Sequence, residues 1–564
     1  MTAPVEQKPF TGNIYVGGIL WGGNYWDQSN NGHVIEYSFW NAGTESFDND
    51  FDDIATDASD WFDYEKAAMH QALQLWSNVA NLNFVQSPDN DSEATLAFYS
   101  VDSSQEDSLG SFNPPDELGE GIGYFNCEDS SWTEKNLRQG GYAFITLIHE
   151  LGHGLGLAHP HDHGGGSPVY PGVSGKNDRG KFGLNQGVWT TMSYVDGLKA
   201  DGLDVELPYG YQGTPMAFDI AAVQYLYGAN TSYNTDNDVY QLPQVNASGT
   251  FYSCLWDASG VDEISNAGSN RTCTINLNAA PLVGKNAGGF ISSTKGRYGG
   301  FTIAHGVVIE NATGGKKNDT LIGNGADNIL NGSFGADRMR GGAGNDIYIV
   351  DKVRDKINEA SNGGTDRVNS SVNYILDANL EYLTLTGKAS INGTGNNLNN
   401  IILGNKAANI LNGGKGADTM NGGKGSDILY GGAGDDYLVG GNGKDQLYGD
   451  EGNDTLTGDS GADTFGFNSP GKKVDLLTDF SLKDDTIAVS AAGFGGGLVA
   501  NAAITPAQFV IGSAATTADH RFIYNNTNGF LFFDRDGLGA SAQVQIASLN
   551  TGLAMTNNDI FVVA

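Results

Sequence analysis

From residue 413 the chain reads GGKGADTMN (413–421), GGKGSDILY (422–430), GGAGDDYLV (431–439), GGNGKDQLY (440–448), GDEGNDTLT (449–457) and GDSGADTFG (458–466). The period is nine residues. Asp418, Asp427, Asp436, Asp445, Asp454 and Asp463 hold the sixth place, and Met420, Leu429, Leu438, Leu447, Leu456 and Phe465 the eighth. One apolar residue per nine, always two after the aspartate, predicts short strands that stack and point that residue inward. The glycines (Gly414, Gly416, Gly423, Gly425, Gly432, Gly434, Gly441 and Gly443) let each turn bend and present its carbonyls. With the aspartates, such turns offer only oxygen, the donor set of a hard cation such as Ca²⁺. Unneutralised, so many carboxylates repel one another, so folding of this region is expected to depend on calcium.

A shorter block runs from Gly314 to Ile349 with Asp319, Asp327, Asp337 and Asp346. Asp319, Asp337, Asp346, Gly342 and Gly344 are its candidate calcium ligands. Lys317 replaces a turn glycine and the Asp319 to Asp327 interval is eight, which makes the first turn the weakest site. Both blocks are RTX nonapeptide repeats, whose fold is a parallel β-roll. Between them, residues 351–403 alternate polar and apolar, as in Val368-Asn369-Ser370-Ser371-Val372 and Leu380-Glu381-Tyr382-Leu383-Thr384-Leu385. Alternation of this kind predicts strands. The reading is a calcium-free β spacer, with an accessory binding surface as the alternative.

Upstream lies His149-Glu150-Leu151-Gly152-His153-Gly154-Leu155-Gly156-Leu157-Ala158-His159. On a helix, expected from about Tyr142 to Leu155, His149 and His153 share a face and can reach one metal ion. Glu150, about 100° round the axis, sits beside that ion as a base for water. His159 is out of reach of an unbroken helix. Gly156 supplies the break, because glycine takes the positive φ that turns a chain at a helix end. Three neutral nitrogens with an open position describe a catalytic zinc, since structural zinc is closed by four protein ligands.

Thr190-Thr191-Met192-Ser193-Tyr194 follows. It resembles the Met-turn of the metzincin zinc metalloproteases, and the whole pattern resembles their serralysin branch, which carries RTX repeats. The segments 76–84, 94–98, 214–216 and 219–230 are similar to that branch's first helix, core strand and last catalytic-domain helix. The resemblance implies a multidomain chain: an α+β metzincin zinc-protease domain followed by a parallel β-roll domain. The boundaries expected are 1–245 for the catalytic domain (1–18 a possible short leader), 246–350 for a β-sandwich and first roll block, 351–403 for the spacer, and 404–564 for the second roll with a secretion segment. It implies a zinc endopeptidase (EC 3.4.24), with Met192 as apolar floor beneath the three histidines. Tyr194 would be a further zinc ligand that swings away to hold the oxyanion. The substrate would lie extended against an edge strand near Ile122–Phe125.

The remaining features bear on setting. With 66 acidic and 30 basic residues the formal charge is −36, which argues against nucleic acid and anionic membranes and for cations. No run of 18 apolar residues spans a membrane. Met1–Lys8 has neither the basic nor the apolar region of a signal peptide. Asp559-Ile560-Phe561-Val562-Val563-Ala564 resembles the C-terminal signal of type I secretion in Gram-negative bacteria, so the expected location is extracellular. Expected partners are polypeptide substrates, the type I secretion machinery and a small proteinaceous inhibitor, with the chain itself a monomer.

Three cysteines, Cys127, Cys254 and Cys273, exclude a disulfide framework. Cys254 and Cys273 are either a pair or two thiols, and Cys127 reads as a buried structural thiol. His161 and His163, among glycines, read as solvated side chains of a mobile loop. Two other classes fit the sequence less well. A lipase needs a Gly-x-Ser-x-Gly elbow, which the chain lacks. An RTX adhesin with a latent protease domain has no use for the base Glu150.

Overall fold

The computed structural model describes residues 5–27, 34–41, 59–103, 106, 108–115, 121–196, 208–471 and 473–564. The chain divides into two compact units, residues 1–317 and 318–564.

The first unit opens with β1 (Val5–Gln7), the helical turn α1 (Ile14–Gly17) and β2 (Asn24–Trp26), which pairs antiparallel with β1. Next come β3 (Val34–Trp40), α2 (Asp63–Val79), β4 (Asn83–Gln86), β5 (Leu96–Val101), β6 (Gly110–Phe112) and β7 (Ile122–Asn126). The helices α3 (Tyr142–Gly154) and α4 (Ala217–Tyr227) complete the set that concerns the site. The sheet order is β4-β3-β5-β7-β6, parallel except for β6. All six residues of β5 are buried, Ser100 included, as in a strand covered on both faces of a parallel sheet. In α2 the buried positions Ala68, Met69, Ala72, Leu73, Trp76 and Val79 recur every three or four residues, the stripe of a helix with one face in the core. Glu65 begins that stripe with a polar contact. Its carboxylate accepts the N–H of Phe62 at 2.8 Å, capping α2, and Trp132 Nε1–H at 2.9 Å.

Ile122–Phe125 is not the edge of this sheet. β7 is covered on one side by β5 and on the other by β6, so the free edge belongs to Gly110–Phe112. A three-residue Gly-Ser-Phe strand has no alternation to announce it. Its glycine has a purpose, since a Cβ at position 110 would lie 3.1 Å from Glu150 Cγ.

Further on in this unit, strands 252–255 and 300–303 pair in parallel, and 273–276 pairs antiparallel with 293–294. Cys127, Cys254 and Cys273 are all free thiols. Cys127 Sγ donates to the carbonyl of Val101.

The second unit is for most of its length a coil of short parallel strands in two stacks, with antiparallel pairs 522–525/530–533 and 530–533/544–548 near its end. One stack runs 329–331, 347–350, 367–370, 382–385, 401–403, 419–424, 437–443, 455–461 and 475–477. The other runs 374–375, 393–394, 410–415, 428–433, 446–451, 464–467, 486–490 and 560–563. In the repeats, register partners are 18 residues apart, so two nonapeptides make one turn of the coil. Residues 351–403 continue both stacks. The inward column is one apolar side chain deep: Tyr348, Val368, Leu383, Ile402, Met420, Leu438 and Leu456 are in register and fully buried. Opposite them, Leu411, Leu429, Leu447, Phe465 and Ile487 are equally buried.

Candidate active site

The helix α3 begins after Gly141 and ends at Gly154, matching the expected span within one residue. Gly156 has φ +94, and a Cβ there would lie 2.3 Å from the carbonyl oxygen of Asn24. The turn is held from several sides. Trp21 N–H donates to the Gly156 carbonyl at 2.8 Å, Ala158 N–H to Ile19 at 2.9 Å, and Trp26 Nε1–H to Gly154 at 2.7 Å. Tyr227 Oη donates to the Leu155 carbonyl at 3.0 Å. Segments 19–26 and α4 thus fix the reversal that returns His159 to the helix.

The result is convergence. His149 Nε2 lies 3.2 Å from both His153 Nε2 and His159 Nε2, and the latter two are 3.0 Å apart. Each Nδ1 has its own acceptor: the Thr191 carbonyl for His149 (2.7 Å), the Leu157 carbonyl for His153 (2.8 Å) and the Asp162 carboxylate for His159 (2.7 Å). A carbonyl accepts only from N–H, so Nδ1 of His149 and His153 carries the proton and Nε2 presents a lone pair. Burial holds the His149 imidazole down to about 3 and that of His153 well below its ordinary value, with His159 adding to both. The three Nε2 atoms face one point. Ligands on a tetrahedral zinc at about 2.0–2.1 Å lie roughly 3.3–3.4 Å apart, so this donor set fits zinc with little adjustment.

Glu150 is buried beside these rings. Burial, then the charge of Glu106, pushes its carboxyl up to about 8; a cation alongside would pull it back toward the carboxylate. The side chain lines a cleft of about 480 Å³ together with Gly110, Tyr142, His149, Tyr194 and Tyr211. Tyr194 is half exposed, its ring centroid 4.6 Å from that of His159 and 5.6 Å from that of His149. Burial and the Glu150 charge push its phenol up to about 12, so it stays a donor.

Met192 is fully buried under α3. Gly152 admits it, because a Cβ at 152 would lie 2.7 Å from Met192 Sδ. The turn that carries Met192 is pinned by Asp219, which accepts Thr191 N–H at 2.7 Å, Met216 N–H at 2.8 Å and the Thr190 hydroxyl at 2.5 Å.

Sequence reasoning misses Asp162 and Asp219. Each is one carboxylate without a motif, and only the fold shows what it meets. His161 overturns the expectation of a solvated loop. Its ring stacks on His159 at 4.9 Å and lies 4.9 Å from Tyr194, with its side chain only 11% exposed. The flanking glycines mislead, for they allow close packing as readily as motion. His163 is exposed.

The repeat aspartates share one geometry. Oδ1 of Asp436 accepts Asp418 N–H at 2.7 Å, Asp445 does so for Asp427 at 2.7 Å, Asp454 for Asp436 at 2.8 Å and Asp463 for Asp445 at 2.9 Å. Oδ2 of Asp337, Asp346, Asp418, Asp427, Asp436, Asp445, Asp454 and Asp463 is buried and meets no donor. Gly414, Gly416, Gly423, Gly425, Gly432, Gly434, Gly441, Gly443, Gly342 and Gly344 all have positive φ. A row of orphaned carboxylate oxygens in glycine turns fits a hard cation. Asp319 is 2% exposed and its N–H donates to Asp337 Oδ1 at 2.7 Å.

Known proteins show both halves. Residues 54–187 match the Matrixin (Peptidase_M10) family, and residues 313–348, 394–429 and 430–465 match the RTX calcium-binding nonapeptide repeat. A Serralysin from Photorhabdus laumondii is 33% identical over 277 residues, covering 47% of this chain and 54% of its own. Serralysin C from Dickeya chrysanthemi is 36% identical over 271 residues, 44% of this chain and 51% of its own. Metallopeptidase AprA from Pseudomonas marginalis is 32% identical over 327 residues, 55% and 64%. The chain thus spans between about half and two thirds of the length of these relatives. A matrixin domain implies a catalytic zinc, which the histidine cluster fits, and the repeats imply calcium. The chain carries a matrixin domain followed by RTX calcium-binding repeats, and serralysins are its homologues over about half its length.

Proposed function

We propose that the chain is a secreted, calcium-stabilised zinc endopeptidase acting on extracellular polypeptides. The observation that carries this reading is the convergence of three Nε2 lone pairs beside the buried carboxylate Glu150, in a cleft open to solvent. His149, His153 and His159 would hold the metal. Zinc there would supply Lewis acidity to a peptide carbonyl and to a water molecule.

Glu150 takes a proton from the attacking water as the C–O bond forms, then passes it to the amine as the C–N bond breaks, which restores the carboxylate. Tyr194, kept protonated, donates to the carbonyl oxygen as its charge grows; one such donor is worth about 10²–10³ in turnover. The free edge of β6 (Gly110–Phe112), beside Glu150, offers backbone groups to which an extended peptide can add as a further strand. The clustered carboxylates support a roll that stays unfolded at low calcium and folds on meeting calcium outside, which suits export of an unfolded chain. Among the described residues no helix is long and apolar enough to cross a membrane.

The test is casein hydrolysis by the calcium-loaded chain, with and without 1,10-phenanthroline. Hydrolysis should stop with the chelator and return with added Zn²⁺. No hydrolysis despite one zinc per chain would move the adhesin reading to the front.

A further inference from the structure

The segment 351–403 lies between the two blocks of repeats and its sequence reads as cation-free. Its own turns show which of them are. Asn400, at the end of the segment, and Asn409, just beyond it, lie in the matched repeat at 394–429 and hold the place that aspartate holds in the later repeats, two residues before the buried Ile402 and Leu411. Their backbone N–H groups donate to Asp418 and Asp427 Oδ1, both at 2.7 Å, as a repeat aspartate's would. Their side chains differ. Asn400 Nδ2 donates to the Leu380 carbonyl at 3.0 Å, and Asn409 Nδ2 to the Ile391 carbonyl at 2.6 Å. The amide N–H stands where a repeat would need a cation to face carbonyl oxygen, so these turns close without metal.

Asp366 does not share this arrangement. It precedes Val368, which is in register with Tyr348, so Asp366 stacks on Asp346. Its Oδ1 accepts Asp346 N–H at 2.8 Å. Oδ2 of Asp346 and of Asp366 is buried and meets no donor, and both residues are 0% exposed. A third carboxylate joins them. Glu359, 7% exposed, is held by the Tyr348 hydroxyl and by Ala360 N–H at 2.7 Å. One oxygen from each of the three lies within 4.8 Å of the others. Among the described residues no lysine or arginine pairs with any of them. Three buried carboxylates without a counter-charge are strongly unfavourable. Two Ca–O bonds span about 4.6–5.2 Å, so one calcium ion can touch all three oxygens, and an all-oxygen set excludes the softer metals.

We propose that Asp346, Glu359 and Asp366 form a calcium site that ties the start of the 351–403 segment to the last turn of the first repeat block. Glu359 lies outside any repeat, and Asp366 beyond the matched repeat at 313–348. The two ends of the segment therefore differ: calcium at its entry, asparagine amides at its exit.

The test uses the full chain and reads no proteolysis, so it stands apart from the peptidase reading. Crystals grown with Tb³⁺ in place of Ca²⁺ should show an anomalous peak between the three carboxylates. Equilibrium dialysis of calcium-depleted protein should give one fewer tightly bound ion per chain for Glu359→Gln and for Asp366→Asn. The second variant should keep the roll, because asparagine is the residue that positions 400 and 409 already use. Peaks in the repeat turns with none at this site overturn the proposal, and the map decides alone if the variants fail to fold.

Discussion

His159 Nδ1 meets Asp162 Oδ2 at 2.7 Å, so the third histidine is the only one of the cluster oriented by a carboxylate rather than a backbone carbonyl. The same carboxylate is fixed by Gly164 N–H on its other oxygen at 3.0 Å. An oriented, anion-backed imidazole is a stronger metal donor. Asp162→Ala should lower zinc affinity about 10–100-fold while leaving the near-UV spectrum of the protein unchanged. Competition with a coloured chelator measures this, and an unaltered affinity would remove Asp162 from the site.

Gly156→Ala joins two penalties. Alanine at φ +94 is strained, and its Cβ meets the Asn24 carbonyl at 2.3 Å. The expected cost is more than about 1 kcal/mol, with zinc content falling because the displaced turn carries His159. Thermal unfolding and metal analysis of the same preparation check both parts. A variant with normal stability and one zinc per chain would contradict the account of the turn.

Asp219 gathers three donors from two segments, and burial pushes its carboxyl up to about 6 against them. Asp219→Asn turns an N–H₂ group toward groups that already donate. The expected loss is about 1–3 kcal/mol, localised at the Met192 turn. Denaturant unfolding gives the size, and hydrogen exchange at Thr191 and Met192 gives the place.

The calcium-free roll should have an inverted pH response. Burial pushes Asp427 and Asp436 up to about 7, and Asp418 and Asp463 up to about 6, from an ordinary 3.8. A carboxyl with a raised folded-state pKa makes the folded state bind more protons than the unfolded one. Its contribution is fully present below about 3.8 and is lost as pH rises through about 6–7. Metal-stripped protein should therefore melt at progressively lower temperature from pH 4 to pH 7, whereas saturating calcium, which binds the carboxylates, should reverse the trend. A metal-free melting temperature that rises across this window would contradict the prediction.

Local pattern made much of this legible. The span of α3, the glycine break and the nine-residue columns follow from periods and backbone preferences that neighbours along the chain already express. The features that stayed hidden depend on contacts between distant segments. β6 is a three-residue strand whose role as the cleft edge comes from its pairing with β7. Asp162, Asp219 and Glu359 are single carboxylates whose meaning lies in which orphaned groups the fold brings to them. His161 shows the opposite error, since a glycine-rich context suggests motion where the rings in fact pack.

The central claim is that Glu150 is the base of a zinc peptidase. The most direct measurement is casein hydrolysis by wild type and Glu150→Gln, both calcium-loaded and both shown to hold one zinc per chain. The account predicts a wild type that cleaves and a variant slower by at least about 10²–10⁴-fold. A variant that retains zinc and cleaves at the wild-type rate would contradict it.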